Sequence, residues 1–383
     1  MSQPATVEAP VPPPVRSSRQ SFYRPELDVL RFFAFLGVYQ FHSYVGAGAV
    51  LRGPHWIAIV NRLNYAGLYG VDLFFTLSAY LITELLLREK RQFATLDVRA
   101  FYLRRILRIW PLYFFVIGLG LIPFFDPQHT FTGRYVISFL LLAGNWSVVA
   151  WGWTHSSFDV LWTVSIEEQF YLLWPPIVRR LSANHLACVA IAMLVLASAT
   201  RAAMVAIHAG RFSIWCNTLA RLDPIALGIL IAVLLRGRVP NFRIWTRLTM
   251  LLGGTVPVVL VANSWNLPSP QRLEWIPSLL GFPIVAVCCT LILLASLGIS
   301  SHLPRALVYL GKISYGLYVY HVLAEFLTDH FLYLGRGHFR WLLLKRVVGL
   351  AVTILLASLS YAVLERPFLN LKKRFELIGS RPI

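Results

Sequence analysis

The sequence predicts an all-α integral membrane protein, with about ten transmembrane helices and one re-entrant or interfacial segment. Three observations lead there. Hydrophobic residues make up 57% of the 383, charged residues only 14%, and the mean hydropathy is +0.64, which leaves too little polar surface to cover soluble domains. The apolar residues recur in blocks of roughly 17 to 23, long enough for helices to cross a hydrocarbon core of about 30 Å and unlike the short alternating strands of an outer-membrane barrel. The basic residues behind a net charge of +18 sit in short segments between those blocks, a distribution that positive-inside topology explains and nucleic-acid binding does not.

Taken in order, residues 1–24 are rich in Pro and Ser, carry Arg16, Arg19 and Arg24, and lack the apolar stretch of a cleavable signal peptide. They read as a disordered cytoplasmic tail. Candidate spans follow at 27–46, 67–87, 109–125, 161–178, 185–207, 219–235, 246–262, 275–297, 313–333 and 342–364. Residues 25–375 form one transmembrane domain and 376–383 a second cytoplasmic tail. No stretch outside the apolar blocks is long enough for another folded domain.

An eleventh apolar run, Tyr135 to Ala150, is short and interrupted by Gly144 and Asn145, and charge parity decides how it is read. The basic clusters are Arg88 to Arg108, Arg179 with Arg180, Arg236 to Arg247, Arg305 with Lys312, and Arg366 to Arg374. Ten crossings put all of them, and both termini, on the cytoplasmic side; an eleventh splits them. The run is therefore re-entrant or interfacial, which is tolerated at membrane depth only beside protein or a wet cavity.

Ionisable residues within spans are costly and mark function. The first span holds Asp28, Arg31 and His42. Arg31 and His42 are eleven residues apart, so they share one helical face about 16 Å apart along the axis, although a structural Asp28–Arg31 pair beside an unrelated histidine competes with that reading. After the second span, Arg105 and Arg108 lie one turn apart where their guanidinium forks suit phosphate oxygens, with Arg104 a turn behind Arg108. Positive-inside bias alone would also supply such residues. The fourth span opens with Thr163, Glu167, Glu168, Gln169 and Tyr171; the second contributes Asp72 and Ser78, and the ninth His321. Arg201 is buried by position, while Arg221 and Asp223 read as a structural ion pair. The four cysteines, Cys188, Cys216, Cys288 and Cys289, have no zinc-type spacing, and no metal site is expected.

With these segments in view the chain resembles the acyltransferase 3 family, multi-span membrane enzymes that O-acylate sugars, polysaccharides, peptidoglycan and some natural products. R-P-E-L-D-V-L-R (Arg24 to Arg31) followed by His42 is similar to the family's R-x10-H motif, G-V-D-L-F-F-T-L-S (Gly70 to Ser78) to its second-span signature, and Arg105 with Arg108 to its R-x-x-R. W-T-V-S-I-E-E-Q-F-Y-L-L-W-P (Trp162 to Pro175), I-S-Y-G-L-Y-V-Y-H ending at His321, and E-R-P-F (Glu365 to Phe368) complete the ordered set. Thr163 stands where Ser is usual and Ala79 where Gly is usual. The soluble esterase-like domain appended to some members is not expected here.

The resemblance implies an acyl-CoA donor, with acetyl as the habitual group and no permanently bound cofactor. It places CoA phosphates on Arg105, Arg108 and Arg31, and the thioester at His42. A pantetheine arm of about 15 to 20 Å matches the distance from Arg31 to His42. His42 would act as general base on a hydroxyl of a carbohydrate or glycosylated acceptor, or as nucleophile through an acyl-imidazole. Glu167 or Asp72 would orient it, and nearby hydroxyls or amides, Asn145 among them, would stabilise the oxyanion. The expected location is the inner or plasma membrane. The same buried ionisable groups would suit a secondary transporter or a polysaccharide export subunit, but the paired, interrupted helices of two transporter halves are not evident.

Charge parity makes a direct prediction. Cysteines introduced at Ser182 and Phe375 should react with an impermeant thiol reagent from the same, cytoplasmic side of sealed vesicles. Labelling from opposite sides would show that the number of crossings between them is odd.

Overall fold

The computed structural model describes residues 22–45, 60, 63–126, 130–210, 212–268, 272–299, 303–331, 339–376 and 378. The expected tail at 1–21, and most of 376–383, lie outside the described residues. Within them the fold is all-helical. The helices are α1 (Pro25–Val45), α2 (Gly70–Phe93), α3 (Val98–Gly120), α4 (Gly133–Leu140), α5 (Gly144–Trp151), α6 (Trp162–Arg180) and α7 (Ala183–Ala206). They continue with α8 (Leu222–Leu235), α9 (Ile244–Ser264), α10 (Phe282–Ser296), α11 (Arg305–Lys312), α12 (Ser314–Phe331), α13 (Phe339–Ser360) and α14 (Arg366–Lys372).

A helix occupies each of the ten predicted spans, and five helical stretches are long and apolar enough by length and composition to cross a membrane: Leu63–Phe93, Ala183–Ala206, Ile244–Ser264, Pro277–Ser296 and Leu343–Phe375. The helices that carry Arg31 and His42, Arg105 and Arg108, Glu167, and His321 are not among the five. Their polar residues lower the hydropathy that would otherwise mark them. The outer surface is apolar, with Val195, Leu260 and Leu355 each at least 60% exposed, as a lipid-facing bundle requires.

Two boundaries differ from the sequence reading. α3 starts at Val98, because Asp97 caps it by accepting from the Ala100 amide at 2.9 Å, so the arginines expected in a loop stand on a helix running through Pro111. The run 135–150 breaks into α4 and α5, each of 8 residues and about 12 Å long, too short to cross. Order also begins ahead of α1. Phe22 packs against Leu85 and Ile378, with the guanidiniums of Arg88 and Arg24 over its ring at 4.3 and 5.4 Å from the centroid.

Close backbone contacts hold α1 in place. A Cβ on Gly311 in α11 would stand 1.8 Å from the Asp28 carbonyl oxygen, and one on Gly67 would stand 2.2 Å from the Gly37 carbonyl oxygen. Only glycine lets α11 approach the turn of α1 that carries Asp28 and Arg31. Gly311→Ala should therefore cost about 1 to 3 kcal/mol through overpacking and lower the thermal midpoint in detergent. Gly118→Ala, on an exposed face of α3 with nothing near, should leave the midpoint unchanged or slightly higher. Equal midpoints for the two variants would show that the α1–α11 contact yields without cost.

Candidate active site

Four helices bring their polar faces together at the end of the bundle where α1, α2, α3 and α6 meet. Arg31 on α1 is held by Asp28 Oδ1 at 3.0 Å, one turn away, while Asp28 Oδ2 accepts from the Tyr23 hydroxyl at 3.0 Å. Arg105 and Arg108 on α3 enter the same cavity, which measures about 890 Å³ with its open mouth included and is also lined by Ser78, Thr163, Glu167, Tyr171 and Tyr318. Arg105 lies over the rings of Tyr171 and Phe101, at 5.2 and 5.5 Å. Neither Arg105 nor Arg108 makes a hydrogen bond or ion pair with a described residue. Arg104, in contrast, is spent on Glu89 at 2.6 Å and the Phe375 carbonyl at 2.9 Å.

The adjacent carboxylates of α6 part company. Glu167 Oε2 accepts from the Tyr171 hydroxyl at 3.0 Å, and Tyr171 also makes a very short contact with the Ser78 hydroxyl, so Ser78, Tyr171 and Glu167 form one chain along the cavity wall. Glu168 turns the other way and accepts from the Trp110 indole N–H at 3.0 Å. Three guanidiniums thus face the carboxylates of Asp28 and Glu167, and the two on α3 are the unbonded ones. Forked N–H donors in such an arrangement suit, by their geometry, an anion with several oxygens.

Past this cavity lies a pair of histidines. The rings of His42 and His321 meet edge to face with centroids 5.0 Å apart. His321 is fully buried, and its Nδ1 lies 2.5 Å from the carbonyl oxygen of Tyr318. Tyr318 also belongs to the arginine cavity, and its hydroxyl is 2.9 Å from Thr163 Oγ1. Tyr318 thus lines the arginine cavity on one side and contacts His321 on the other.

Several sequence expectations need correction. Asp72 does not orient His42; it is ion-paired at 2.9 Å with Arg221, and both side chains are almost wholly buried. Glu167 is committed to Tyr171 and is not a partner of His42. Arg221 and Asp223 do not pair with each other, since Asp223 instead binds Arg201 at 2.5 and 3.1 Å. Asn145 has no free amide for an oxyanion: it donates to the Cys216 carbonyl and Thr218 Oγ1 and accepts from Gln169. Gln169 is equally engaged, donating to Asn145 and the Leu142 carbonyl and accepting from Thr218. These amides are a latch that pins α4 and α5 to α6.

The partner of His42 was missed. Its nearest sequence signal was the placement of both histidines inside spans, which says nothing about which span neighbours which. Among the described residues no cluster of His, Cys, Asp or Glu could hold a metal ion, and the four cysteines are unpaired.

An all-helical bundle with an apolar exterior, an interior arginine cavity and two neighbouring histidines, one fully buried and one half-buried, is the architecture of a multi-pass helical membrane protein. The chain belongs to the acyltransferase 3 family, whose profile, described as an acyltransferase domain, matches residues 24–363. It is 30% identical over 370 residues to a Bacillus subtilis protein named "Putative peptidoglycan O-acetyltransferase YrhL", covering 90% of this chain and 55% of that one. It is 25% identical over 384 residues to the Staphylococcus aureus protein named "O-acetyltransferase OatA", covering 94% of this chain and 59% of the relative. The chain thus spans little more than half the length of the curated relatives it matches. No solved structure matches it.

The ion pairs assign Asp72 a structural role, and that can be measured. Asp72→Ala leaves the Arg221 charge buried and unpaired and should cost about 3 to 5 kcal/mol. Combining it with Arg221→Met should restore most of the thermal midpoint. A single Asp72→Ala variant as stable as the parent would remove the pair from the account of the fold.

Proposed function

We propose that this chain is a multi-pass O-acyltransferase of the plasma or inner membrane, with ten spans, a re-entrant segment at 135–150 and both termini cytoplasmic. It moves an acyl group, in the simplest case acetyl, from acyl-CoA to a hydroxyl of a cell-envelope carbohydrate or glycosylated acceptor. The observation that carries this reading is the unbonded pair Arg105 and Arg108 beside Arg31, in a cavity whose wall, Tyr318, touches His321, the ring neighbour of His42. CoA supplies phosphates for the arginines and an arm of about 15 to 20 Å, comparable to the 16 Å or so along α1 from Arg31 to His42.

In this mechanism the CoA phosphates stay at the arginine end and the thioester reaches the histidines. His42 takes the proton of the acceptor hydroxyl as the oxygen attacks the thioester carbonyl, and returns it to the departing sulfur. The hydroxyls of Thr163 and Tyr318 lie on the path between the two regions and share the Val160 carbonyl as acceptor, so a turn of either hydroxyl away from that carbonyl would supply a donor to the developing oxyanion. Peptidoglycan is the acceptor class suggested by the printed name of the Bacillus relative.

Donor binding and chemistry separate in two sets of variants. Arg105→Ala with Arg108→Ala should weaken acetyl-CoA binding by calorimetry, each lost charge-assisted contact being worth about 1.5 to 3 kcal/mol. Lysine at both positions should rescue only part, keeping charge but losing the fork. His42→Ala should bind acetyl-CoA like the parent while transfer falls by about 10²-fold to 10⁴-fold. Unaltered donor affinity in the double arginine variant would reduce those residues to topology determinants and overturn the donor site.

A further inference from the structure

The buried ring of His321 has one satisfied nitrogen and one orphan. A carbonyl oxygen only accepts, so the contact of Nδ1 with the Tyr318 carbonyl at 2.5 Å places the ring proton on Nδ1. Nε2 is then a bare lone pair. It is buried and has no hydrogen-bond partner among the described residues, and a buried acceptor without a donor is costly. The other faces of the ring are closed by Phe35, at 6.1 Å edge to face, and by Tyr318, at 5.5 Å. The remaining neighbour that carries a donor is His42, whose half-buried ring is 5.0 Å away between centroids. A rotation of that side chain closes the gap, as catalytic contacts commonly tighten only once substrate is bound.

We propose that His321 is a positioning residue for the transfer: its Nε2 accepts the ring N–H of His42 and turns the opposite nitrogen of His42, lone pair outward, toward the acceptor hydroxyl. This rests on the reading of His42 as proton acceptor and supplies the orienting partner that neither Glu167 nor Asp72 provides. During reaction the hydroxyl proton passes to the free nitrogen of His42 and the hydroxyl oxygen bonds to the thioester carbonyl carbon. The C–S bond then breaks, and the sulfur leaves with the electron pair and takes the proton back from the His42 imidazolium. His321 stays neutral, hydrogen-bonded to an imidazolium whose second N–H it already holds. The tautomer of His42 is thereby set from a backbone carbonyl through a second imidazole.

The test compares His321→Phe, which keeps an aromatic ring without an acceptor, with His321→Gln, whose amide oxygen accepts. Nitrogen-15 spectra of histidine-labelled protein, with the His42 signals identified by their loss in His42→Gln, read the tautomer directly and independently of turnover. His42 should show one tautomer in the parent and in His321→Gln, and a mixture in His321→Phe. With acetyl-CoA as donor and water as acceptor, kcat should fall by about 10²-fold in His321→Phe and recover to within about tenfold of the parent in His321→Gln, at unchanged acetyl-CoA affinity. An unchanged His42 tautomer in His321→Phe, or a kcat within about threefold of the parent, would overturn the proposal, as would a glutamine variant no better than phenylalanine. A parent protein that leaves acetyl-CoA intact would count against the transfer reading alone, because the tautomer spectrum still decides the pairing.

Discussion

Arg221, Asp72, Arg201 and Asp223 are each no more than about 2% exposed, and their pairing controls how this bundle can pack. A charge withdrawn from water must meet an opposite charge in good geometry, or the fold does not hold it. Asp72 on α2 meets Arg221 at the mouth of α8, and Asp223 on α8 meets Arg201 on α7, so the two pairs tie α2, α7 and α8 in fixed register. Arg221 also stacks on Trp215 at 4.1 Å from the ring centroid, which shields its remaining surface with an aromatic face. Helices that would otherwise slide in an apolar environment are held at defined heights.

Set beside that neutralised centre, the arginines of α3 stand out. Arg104, one residue before Arg105, is fully engaged with Glu89 and a backbone carbonyl, while Arg105 and Arg108 face an open cavity shared with Arg31, Glu167 and the hydroxyls of Ser78 and Tyr171 and bond to none of the described residues. The same helix therefore carries a structural guanidinium and two available ones, separated by the angle between its faces. The glycine contact of α11 with the Asp28 turn sets the position of Arg31 beside them.

Hydrogen-bonding capacity divides the polar residues of the core into two kinds. The amides of Asn145 and Gln169, with Thr218, exhaust their donors and acceptors on one another and on backbone carbonyls, and so act as a latch holding the two short helices α4 and α5 against α6. His321 keeps a lone pair unspent.

Much was legible without the structure. Each periodic apolar block coincides with a helix among the described residues, five of them long and apolar enough to cross a membrane, and the eleven-residue spacing of Arg31 and His42 needs only the pitch of a helix to be interpreted. The gap at Gly144 and Asn145 marked the segment that breaks in two. What sequence could not supply is partner choice. Asp72 reads from sequence as a partner of His42, and its actual pairing with Arg221 depends on the rotation and height of α2 against α1 and α8. His42 and His321 lie on the first helix and a late one, and their contact follows from how α1 packs against α12. Periodicity along a chain fixes which face of a helix is polar, but only the close approach of backbones, permitted by glycines such as Gly311 and Gly67, determines which polar face it meets.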